Sequence, residues 1–198
     1  MRAYNNTMMI VGIDEVGRGC WAGPLVAGAV VLPAGFKVST QTAWKLADSK
    51  AMSSVSRELA ETGIRDVASA VGIGWVSAEE VDSVGLTQAV RLAMWRALDM
   101  IDLKYDSVII DGNFNFLPDE PRVSTMVKAD ALVPAVSAAS IVAKVARDRW
   151  MAEASQRFPG YGFERHVGYG TRQHTEALRI LGPCELHRRS FRPVAAVC

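Results

Sequence analysis

Residues 9–19 read MIVGIDEVGRG, an apolar run that ends in two adjacent carboxylates, Asp14 and Glu15, and passes at once into a Gly-Arg-Gly turn. A strand that finishes in acids places them at the edge of a sheet, where a divalent metal ion can be held. The glycines let the backbone of a ligand approach the chain closely. This stretch therefore predicts a metal site that reads a phosphate-bearing polymer.

The composition is that of an ordinary globular protein, with 198 residues of which 49% are hydrophobic and 22% charged. This length suits one domain with a substantial core, so we expect a single domain over residues 1–198. No apolar run reaches the length of about 20 residues that spans a bilayer. Residues 1–7 lack the apolar region of a signal peptide, and we expect a cytoplasmic protein with no membrane partner.

The cysteines and histidines predict no zinc site. The three cysteines are Cys20, Cys184 and Cys198, and they form neither a CxxC pair nor a Cys/His zinc spacing. Free thiols in a reducing compartment are the favoured interpretation. The three histidines, at positions 166, 174 and 187, are too dispersed along the chain to indicate a zinc cluster.

The formal net charge of +1 hides an uneven distribution. Residues 1–143 hold 12 Lys and Arg against 16 Asp and Glu, whereas residues 144–198 hold 10 against 5. The basic C-terminal region from about residue 144 is either a phosphate-facing surface or a solvated helical face, and the charge count alone favours neither.

Hydrophobic periodicity predicts an α/β fold. Strands are expected over residues 8–13, 24–32, 71–76, 106–112 and 123–128, and helices over 53–69, 78–82, 86–103, 136–157 and 171–181. The glycine-rich connection between the first two strands favours an antiparallel pair, and hence a mixed sheet. The helix over 136–157 carries small residues on one side, which suits close packing on a sheet.

Four carboxylates share one context, since Asp14 and Glu15 end one strand, Asp111 ends another and Asp130 follows a third. If the strands of Asp14 and Asp111 are neighbours, the acids converge and raise one another's pKa. Oxygen ligands without nearby Cys or His favour Mg²⁺ or Mn²⁺, and two such ions could support in-line phosphoryl displacement. The alternative for any single Asp is a turn residue or a helix cap.

The Gly-Arg-Gly turn with Gly23 also raises the possibility of a nucleotide phosphate loop. Neither the G-x-G-x-x-G nor the GxxxxGK[ST] spacing is present, so the turn alone indicates little.

Residues 12–24 read GIDEVGRGCWAGP, which matches the signature G-I-D-E-x-G-R-G-x-x-A-G-P of bacterial ribonuclease HII. The chain resembles this family over nearly its whole length. Further blocks follow in family order: Asp48-Ser49-Lys50, Asp111-Gly112, Lys128-Ala129-Asp130, residues 138–148, residues 168–171 with His174, and residues 187–191. The related ribonuclease HIII usually carries an added N-terminal domain, whereas the first strand here begins almost at once, so type HII is expected.

The resemblance implies a ribonuclease H-like fold, a mixed five-stranded sheet flanked by helices with a helical C-terminal extension. It implies an endoribonuclease that cuts the RNA strand of RNA–DNA hybrids and incises 5′ to single ribonucleotides in duplex DNA, leaving 3′-hydroxyl and 5′-phosphate ends. By the same resemblance, Asp14, Glu15, Asp111 and Asp130 would be the catalytic metal ligands, with two Mg²⁺ or Mn²⁺ ions. Asp14 would bridge them.

The resemblance also implies substrate contacts. Residues Gly17, Arg18 and Gly19 match the family's turn on the ribose 2′-hydroxyl, the group that distinguishes RNA from DNA. Tyr169 matches a tyrosine that packs on the following deoxyribose, although alone it would be read as a core or surface aromatic. Candidate phosphate contacts, each of which could equally be an ordinary solvated or polar residue, are Lys50, Ser140, Lys144 and Arg147.

Several positions depart from the family pattern. Cys20 and Trp21 stand where the family often has proline and an aliphatic residue, and Ala51 and Val167 stand where a lysine is common. Loss of those lysines would weaken phosphate contacts without touching the acids. No Q-x-x-L-x-x-F-F clamp-binding tail follows Phe191, and a monomer is expected.

Two other functions fit parts of the same pattern. One is a different nuclease on this fold, such as a DNA junction nuclease, because a fold does not fix an activity. The other is a module that binds hybrids without cutting them, although intact acids argue against it.

Overall fold

The computed structural model describes residues 8–37, 44–46, 49 and 52–197. Within those residues a five-stranded sheet has the order β3-β2-β1-β4-β5. Its strands are β1 (Ile10–Val16), β2 (Leu25–Val31), β3 (Ala70–Val76), β4 (Ser107–Asp111) and β5 (Val123–Met126). Strand β1 pairs antiparallel with β2 and parallel with β4, so the predicted mixed sheet is confirmed.

The described helices include every helix that the sequence predicts. They are α1 (Ser54–Val67), α2 (Ala78–Val84), α3 (Leu86–Leu98), α4 (Ala129–Leu132), α5 (Pro134–Arg157), α6 (Phe163–His166), α7 (Arg172–Leu181) and α8 (Arg192–Ala195). Helix α3 ends at Leu98, short of the predicted residue 103. Helices α4, α6 and α8 were not predicted, because four residues are too few to show helical periodicity.

The sheet is covered on both faces. Val11 and Ile13 of β1 pack in one core with α3, and the opposite face of the sheet packs against α1 and α5. Gly12 points toward α5, where a Cβ atom would lie 2.2 Å from the backbone carbon of Ala135. Helix α5 therefore lies with its backbone directly on β1, and this close contact carries the residues of α5 over the end of that strand.

The C-terminal helices form a separate layer beside α5. Its buried cluster includes Met151 from α5, Phe163 from α6 and Ala177 from α7. The same cluster takes in Ala22 from the connection between β1 and β2, and Ala22 forms an isolated antiparallel bridge with His187. The C-terminal extension is thus packed onto the segment that follows β1. Among the described residues, no helix combines the length and apolar character needed to cross a bilayer.

Candidate active site

Asp14 and Asp111 lie side by side at the carboxyl ends of two parallel strands. Ile13 of β1 is in register with Ile110 of β4, and each aspartate is the next residue along. The condition under which the acids were expected to converge, that these two strands are neighbours, is therefore met. Strand β1 runs to Val16, beyond the predicted residue 13, so Asp14 and Glu15 belong to the last part of the strand itself.

Side-chain alternation places Asp14 and Asp111 on the same face of the sheet. Asp14 is two residues after Gly12, which meets α5, and Asp111 is two residues after Ile109, which packs with Ala129 and Val136. Both carboxylates therefore lie on the side that α4 and α5 cover.

Asp14 is nearly enclosed, with 9% of its surface exposed. Its Oδ1 accepts a hydrogen bond from the backbone N–H of Glu15 at 2.8 Å, and its carboxylate also accepts from the Ser140 hydroxyl of α5. Burial raises the pKa of Asp14 to about 7, and the charges of Glu15 and Asp111 add to that rise. A cation bound at this point would favour the ionised carboxylate and so offset both effects on the pKa.

Helix α4 brings Asp130 to the same edge. The backbone N–H of Ala129, the first residue of α4, donates to Oδ1 of Asp111 at 2.7 Å, and Asp130 follows in the first turn. Lys128 adopts a left-handed conformation with φ of 61°, which turns the chain from β5 into this helix. Helix α4, which is too short to be predicted from periodicity, thus begins against Asp111 and carries Asp130.

Glu15 differs from the other acids. Strand alternation directs it to the face opposite Asp14. It forms an ion pair with Arg18 at 3.7 Å. Across the part of the chain that the structure describes, no three His, Cys, Asp or Glu side chains are arranged so that they could hold one metal ion.

The chemistry of the acids nevertheless fits a hard divalent cation. Their donors are carboxylate oxygens, the ligands that Mg²⁺ and Mn²⁺ prefer. Burial raises the pKa of Asp14, and the negative charges of Glu15 and Asp111 add to that rise, so a cation bound here would favour the ionised carboxylate. Asp14, Asp111 and Asp130 are therefore the residues that could hold a metal at this edge, and Glu15 would join them only by leaving its ion pair with Arg18.

The Gly-Arg-Gly loop, residues 17–24, connects β1 to β2 directly beside the acids. Gly17 has φ of 86°, and a Cβ atom there would lie 2.3 Å from Nε of Arg147. Gly19, in contrast, has no atom within 4 Å of its Cβ position. Arg18 between them is half exposed, with its guanidinium 5.5 Å from the centre of the Phe116 ring. Gly17 is therefore required by internal packing, whereas Gly19 leaves open space for a ligand.

Tyr169 lies on the tyrosine loop, residues 167–170, between α6 and α7. The residue is 39% exposed, and its hydroxyl hydrogen-bonds with the thiol of Cys20. Partial burial, with a further contribution from Cys20, raises the pKa of Tyr169. The tyrosine thus stands beside the Gly-Arg-Gly loop, where it contacts Cys20, the residue that follows Gly19.

The structure corrects the prediction that Arg147 contacts phosphate. Arg147 is completely buried, and its guanidinium donates to the carbonyls of Ala22, Pro24 and Val167. A phosphate could reach this guanidinium only if the segments that enclose it moved apart. A sequence shows the charge of such a residue but not its burial, because the loops that enclose Arg147 are distant along the chain.

The other predicted phosphate contacts are Lys144, Ser140 and Lys50, and each has a different environment. The Nζ of Lys144 forms an ion pair with Asp148 at 2.8 Å, and 13% of the lysine side chain is exposed. Ser140 is buried, where its hydroxyl lies 2.9 Å from that of Ser49 and also bonds to Asp14. Ser140 therefore orients an acid. Lys50 lies outside the described residues.

The three histidines are dispersed along the chain but come together in the fold. His166 stacks on His174 with ring centres 4.5 Å apart, and the Nε2 atoms of His174 and His187 are 3.0 Å apart. Burial lowers the pKa of both His174 and His187 to about 4. The three rings, residues 166, 174 and 187, form a buried histidine cluster beneath the tyrosine loop.

The hydrogen bonds of this cluster determine which nitrogen carries each proton. Nδ1 of His187 accepts from the N–H of Cys184, so its Nε2–H donates to Nε2 of His174. Nδ1–H of His174 then donates to the carbonyl of Tyr169 at 2.9 Å. A chain of neutral imidazoles thus fixes the backbone at Tyr169. The sequence could not predict this role, because the histidines come together only in the folded chain.

A mixed sheet with helices on both faces and acids at the adjoining ends of two parallel strands is the arrangement of the ribonuclease H-like class of proteins. Comparison with known proteins narrows this class. Residues 11–194 match the model of the family Ribonuclease HII. The chain belongs to this family and is a metal-dependent endoribonuclease, as the resemblance in sequence predicted.

The similar proteins cover nearly the whole chain. Ribonuclease HII of Thermus thermophilus is 45% identical over 192 residues, which are 97% of this chain and 90% of that protein. Ribonuclease HII of Herpetosiphon aurantiacus is 44% identical over 193 residues, or 97% of this chain and 92% of that protein.

Solved structures show the same fold. The ribonuclease H2 of Pyrococcus horikoshii superposes with a TM-score of 0.81 at 25% identity and covers 96% of this chain and 97% of its own. A Bst-RNase HIII solved in complex with Mn²⁺ gives a TM-score of 0.74 at 18% identity, with 98% of this chain and 70% of that chain covered. The ribonuclease H-like fold and the helical C-terminal extension are confirmed.

Proposed function

We propose that this endoribonuclease hydrolyses the RNA strand of RNA–DNA hybrids and also incises on the 5′ side of single ribonucleotides embedded in duplex DNA. The products would carry 3′-hydroxyl and 5′-phosphate ends. The observation that carries the proposal is the adjacency of three features: the acids at the ends of β1 and β4, the open Gly19 position, and the exposed ring of Tyr169.

The acids form the reaction centre in this proposal. Asp14, Glu15, Asp111 and Asp130 would hold two divalent ions, which supply activation of the attacking water and stabilisation of the leaving oxygen. Ser140 orients the carboxylate of Asp14, and the N–H of Ala129 orients that of Asp111. The Mn²⁺ in the structurally similar Bst-RNase HIII supports Mn²⁺ or Mg²⁺ as the ion.

The Gly-Arg-Gly loop would recognise the ribose. Only a ribonucleotide carries a 2′-hydroxyl, so discrimination requires a protein group on that oxygen. The open space at Gly19 lets backbone groups of residues 17–19 reach the sugar, and the half-exposed Arg18 places a positive charge there.

Tyr169 would recognise the nucleotide that follows. Its exposed ring offers a flat apolar face, which packs well against a deoxyribose that lacks the hydroxyl. The enzyme would thus recognise an RNA–DNA junction by two contacts. Residues 17–19 would require a 2′-hydroxyl on the first sugar, and Tyr169 would favour its absence on the next.

Phosphate contacts would set affinity and register. Lys50 and Lys144 are retained for this role in the proposal, and Lys144 would exchange its partner Asp148 for a phosphate. We further propose that the protein acts as a monomer, which light scattering at assay concentration would test.

The test of substrate choice uses three labelled duplexes: all DNA, DNA with one ribonucleotide, and a continuous hybrid. Each is incubated with Mg²⁺, with Mn²⁺ and with EDTA. Metal-dependent incision 5′ to the single ribonucleotide, with 3′-hydroxyl products and no cut in all-DNA duplex, supports the proposal. Cleavage of the hybrid alone would limit the activity to long hybrids and remove the assigned roles of residues 17–19 and Tyr169.

A further inference from the structure

Two arginines of the basic C-terminal region are completely buried, Arg147 of α5 and Arg188 of the segment between α7 and α8. Burial of a charged group is costly unless its donors are satisfied. Within the described residues neither arginine forms an ion pair with a carboxylate, and both donate to backbone carbonyls instead. Such an arrangement uses the guanidinium groups to hold the chain in one shape.

Arg147 joins the Gly-Arg-Gly loop to the tyrosine loop. Its Nε donates to the carbonyl of Pro24 at 2.8 Å and its Nη2 to that of Ala22 at 3.1 Å. Its Nη1 donates to the carbonyl of Val167 at 2.8 Å. Val167 has φ of 42°, a left-handed conformation that a β-branched residue rarely adopts and that its surroundings must enforce. Arg147 thus holds both loops at once.

Arg188 holds the Gly-Arg-Gly loop from its other side. Its Nε and Nη2 donate to the carbonyl of Gly23 at 3.1 and 2.9 Å, and its Nη1 donates to the carbonyl of Arg18 at 3.2 Å. Its own backbone N–H donates to the carbonyl of Trp21 at 2.8 Å. One buried side chain therefore fixes the backbone of Arg18, the residue that would face the ribose.

Direct contacts between the two loops complete the unit. The N–H groups of Trp21 and Ala22 both donate to the carbonyl of Gly168, at 2.8 and 3.3 Å. A Cβ atom at Gly168 would lie 2.1 Å from the carbonyl oxygen of Ala22, so the backbones are in contact. The loops have no room to move past each other.

We propose that Arg147 and Arg188 are positioning residues that lock the Gly-Arg-Gly loop and the tyrosine loop into one rigid unit, and so set the spacing at which the enzyme reads a ribonucleotide and the sugar after it. The inference rests on the proposed function, because it assigns the spacing a role in substrate choice. Arginine suits the task since its planar guanidinium donates in several directions at once. Lysine keeps the charge but gathers its donors on a single nitrogen.

The test uses Arg147→Lys and Arg188→Lys, with Arg179→Lys as the matched control because Arg179 is exposed on α7. Backbone amide exchange is measured by mass spectrometry in the wild type and each variant. We expect exchange to accelerate together in residues 17–24 and 167–170 in both test variants, with the strands unchanged. Unchanged exchange, or acceleration in one loop only, would overturn the coupling.

Kinetics supply the functional readout. We expect kcat/KM at a single ribonucleotide to fall by about 10- to 100-fold in the test variants, because a small displacement of a positioning group costs about this much in rate. On a continuous hybrid we expect a clearly smaller fall. An equal loss on both substrates would mean a merely structural role and would overturn the assignment. A wild type that fails to cut the ribonucleotide duplex would refute the proposed function, whereas the exchange result would still decide the coupling.

A milder variant covers the case in which a lysine variant does not fold. Asp82 accepts from the backbone N–H groups of Arg189 and Ser190, at 2.7 and 3.0 Å, and so anchors the turn that follows Arg188. Asp82→Asn leaves both arginines in place and weakens this anchor. The expected result is the same pattern of exchange and substrate preference at smaller amplitude, and an unchanged pattern in a folded variant would count against the proposal.

Discussion

Asp14 and Asp111 occupy adjoining positions at the carboxyl ends of parallel strands, each one residue beyond the paired Ile13 and Ile110. Burial raises the pKa of Asp14 to about 7, and the negative charges of Glu15 and Asp111 add to that rise. The fold thus holds the acids together at a cost in stability, and a bound cation removes that cost.

This cost predicts how the metal-free protein responds to pH. The pKa of Asp14 is higher in the folded protein, about 7, than its ordinary value of 3.8. The folded state therefore binds the proton more tightly, and stability falls as pH rises from about 4 to about 7. At pH 8 in EDTA, Asp14→Asn should raise Tm by roughly 5–10 °C. Calorimetric scans would check this, and a variant that melts with or below the wild type would contradict it.

The histidine cluster predicts the opposite response. The pKa values of His174 and His187 fall from 6.5 to about 4 on folding. The unfolded state therefore binds more protons between these values, and stability is lost as pH falls from about 6.5 to about 4. Denaturant titrations at several pH values measure how the free energy of unfolding depends on pH. They are made on the Asp14→Asn variant, because the titration of Asp14 would otherwise oppose the effect of the histidines. His187→Gln should make the slope clearly shallower, and an unchanged slope would exclude the cluster as its source.

Gly17 and Gly19 should respond differently to alanine. At Gly17 the left-handed φ and the contact with Arg147 oppose a side chain, so Gly17→Ala should cost about 1–3 kcal/mol of stability. At Gly19 the space is open, so Gly19→Ala should fold normally and lose incision at a ribonucleotide. Urea unfolding and a single-ribonucleotide assay compare the two. Equal stability losses would show that both positions serve packing.

Tyr169→Ala should impair incision at a single ribonucleotide with little change in Tm, because the residue is 39% exposed. Tyr169→Phe retains the ring and loses the hydrogen bond to Cys20, so it should keep most of the activity. The matched measurements are kcat/KM on the ribonucleotide duplex and on a continuous hybrid. Equal losses on both substrates, or a large drop in Tm, would refute the role assigned to the ring.

The sequence was most informative for those elements and residues whose placement depends on neighbours close together in the chain. The apolar run of β1, the acid at the end of β4 and the predicted helix over 171–181 are all local signals, and the corresponding elements are present. The short glycine-rich connection between β1 and β2 predicted an antiparallel pair, and the two strands do pair in this way.

The sequence was least informative where function depends on contacts between distant segments. Arg147 looked like a surface cation, and its burial depends on carbonyls more than 100 residues earlier in the chain. The histidines are dispersed along the chain, and the fold brings His166 of α6, His174 of α7 and His187 beyond α7 into one cluster. Charge and residue type are visible in a sequence, whereas burial and partners are set by tertiary packing.

The most direct test of the central claim is the cleavage rate of Asp111→Asn on the ribonucleotide duplex in Mg²⁺. Asparagine keeps an oxygen for the N–H of Ala129, so the fold should persist while the charge is lost. Asp102→Asn, at an exposed acid, is the matched control. We predict that Asp111→Asn binds the duplex and cuts it at least about 100-fold more slowly, whereas the control cuts normally. Near-normal cutting by pure Asp111→Asn would contradict the assignment of this edge as the metal centre.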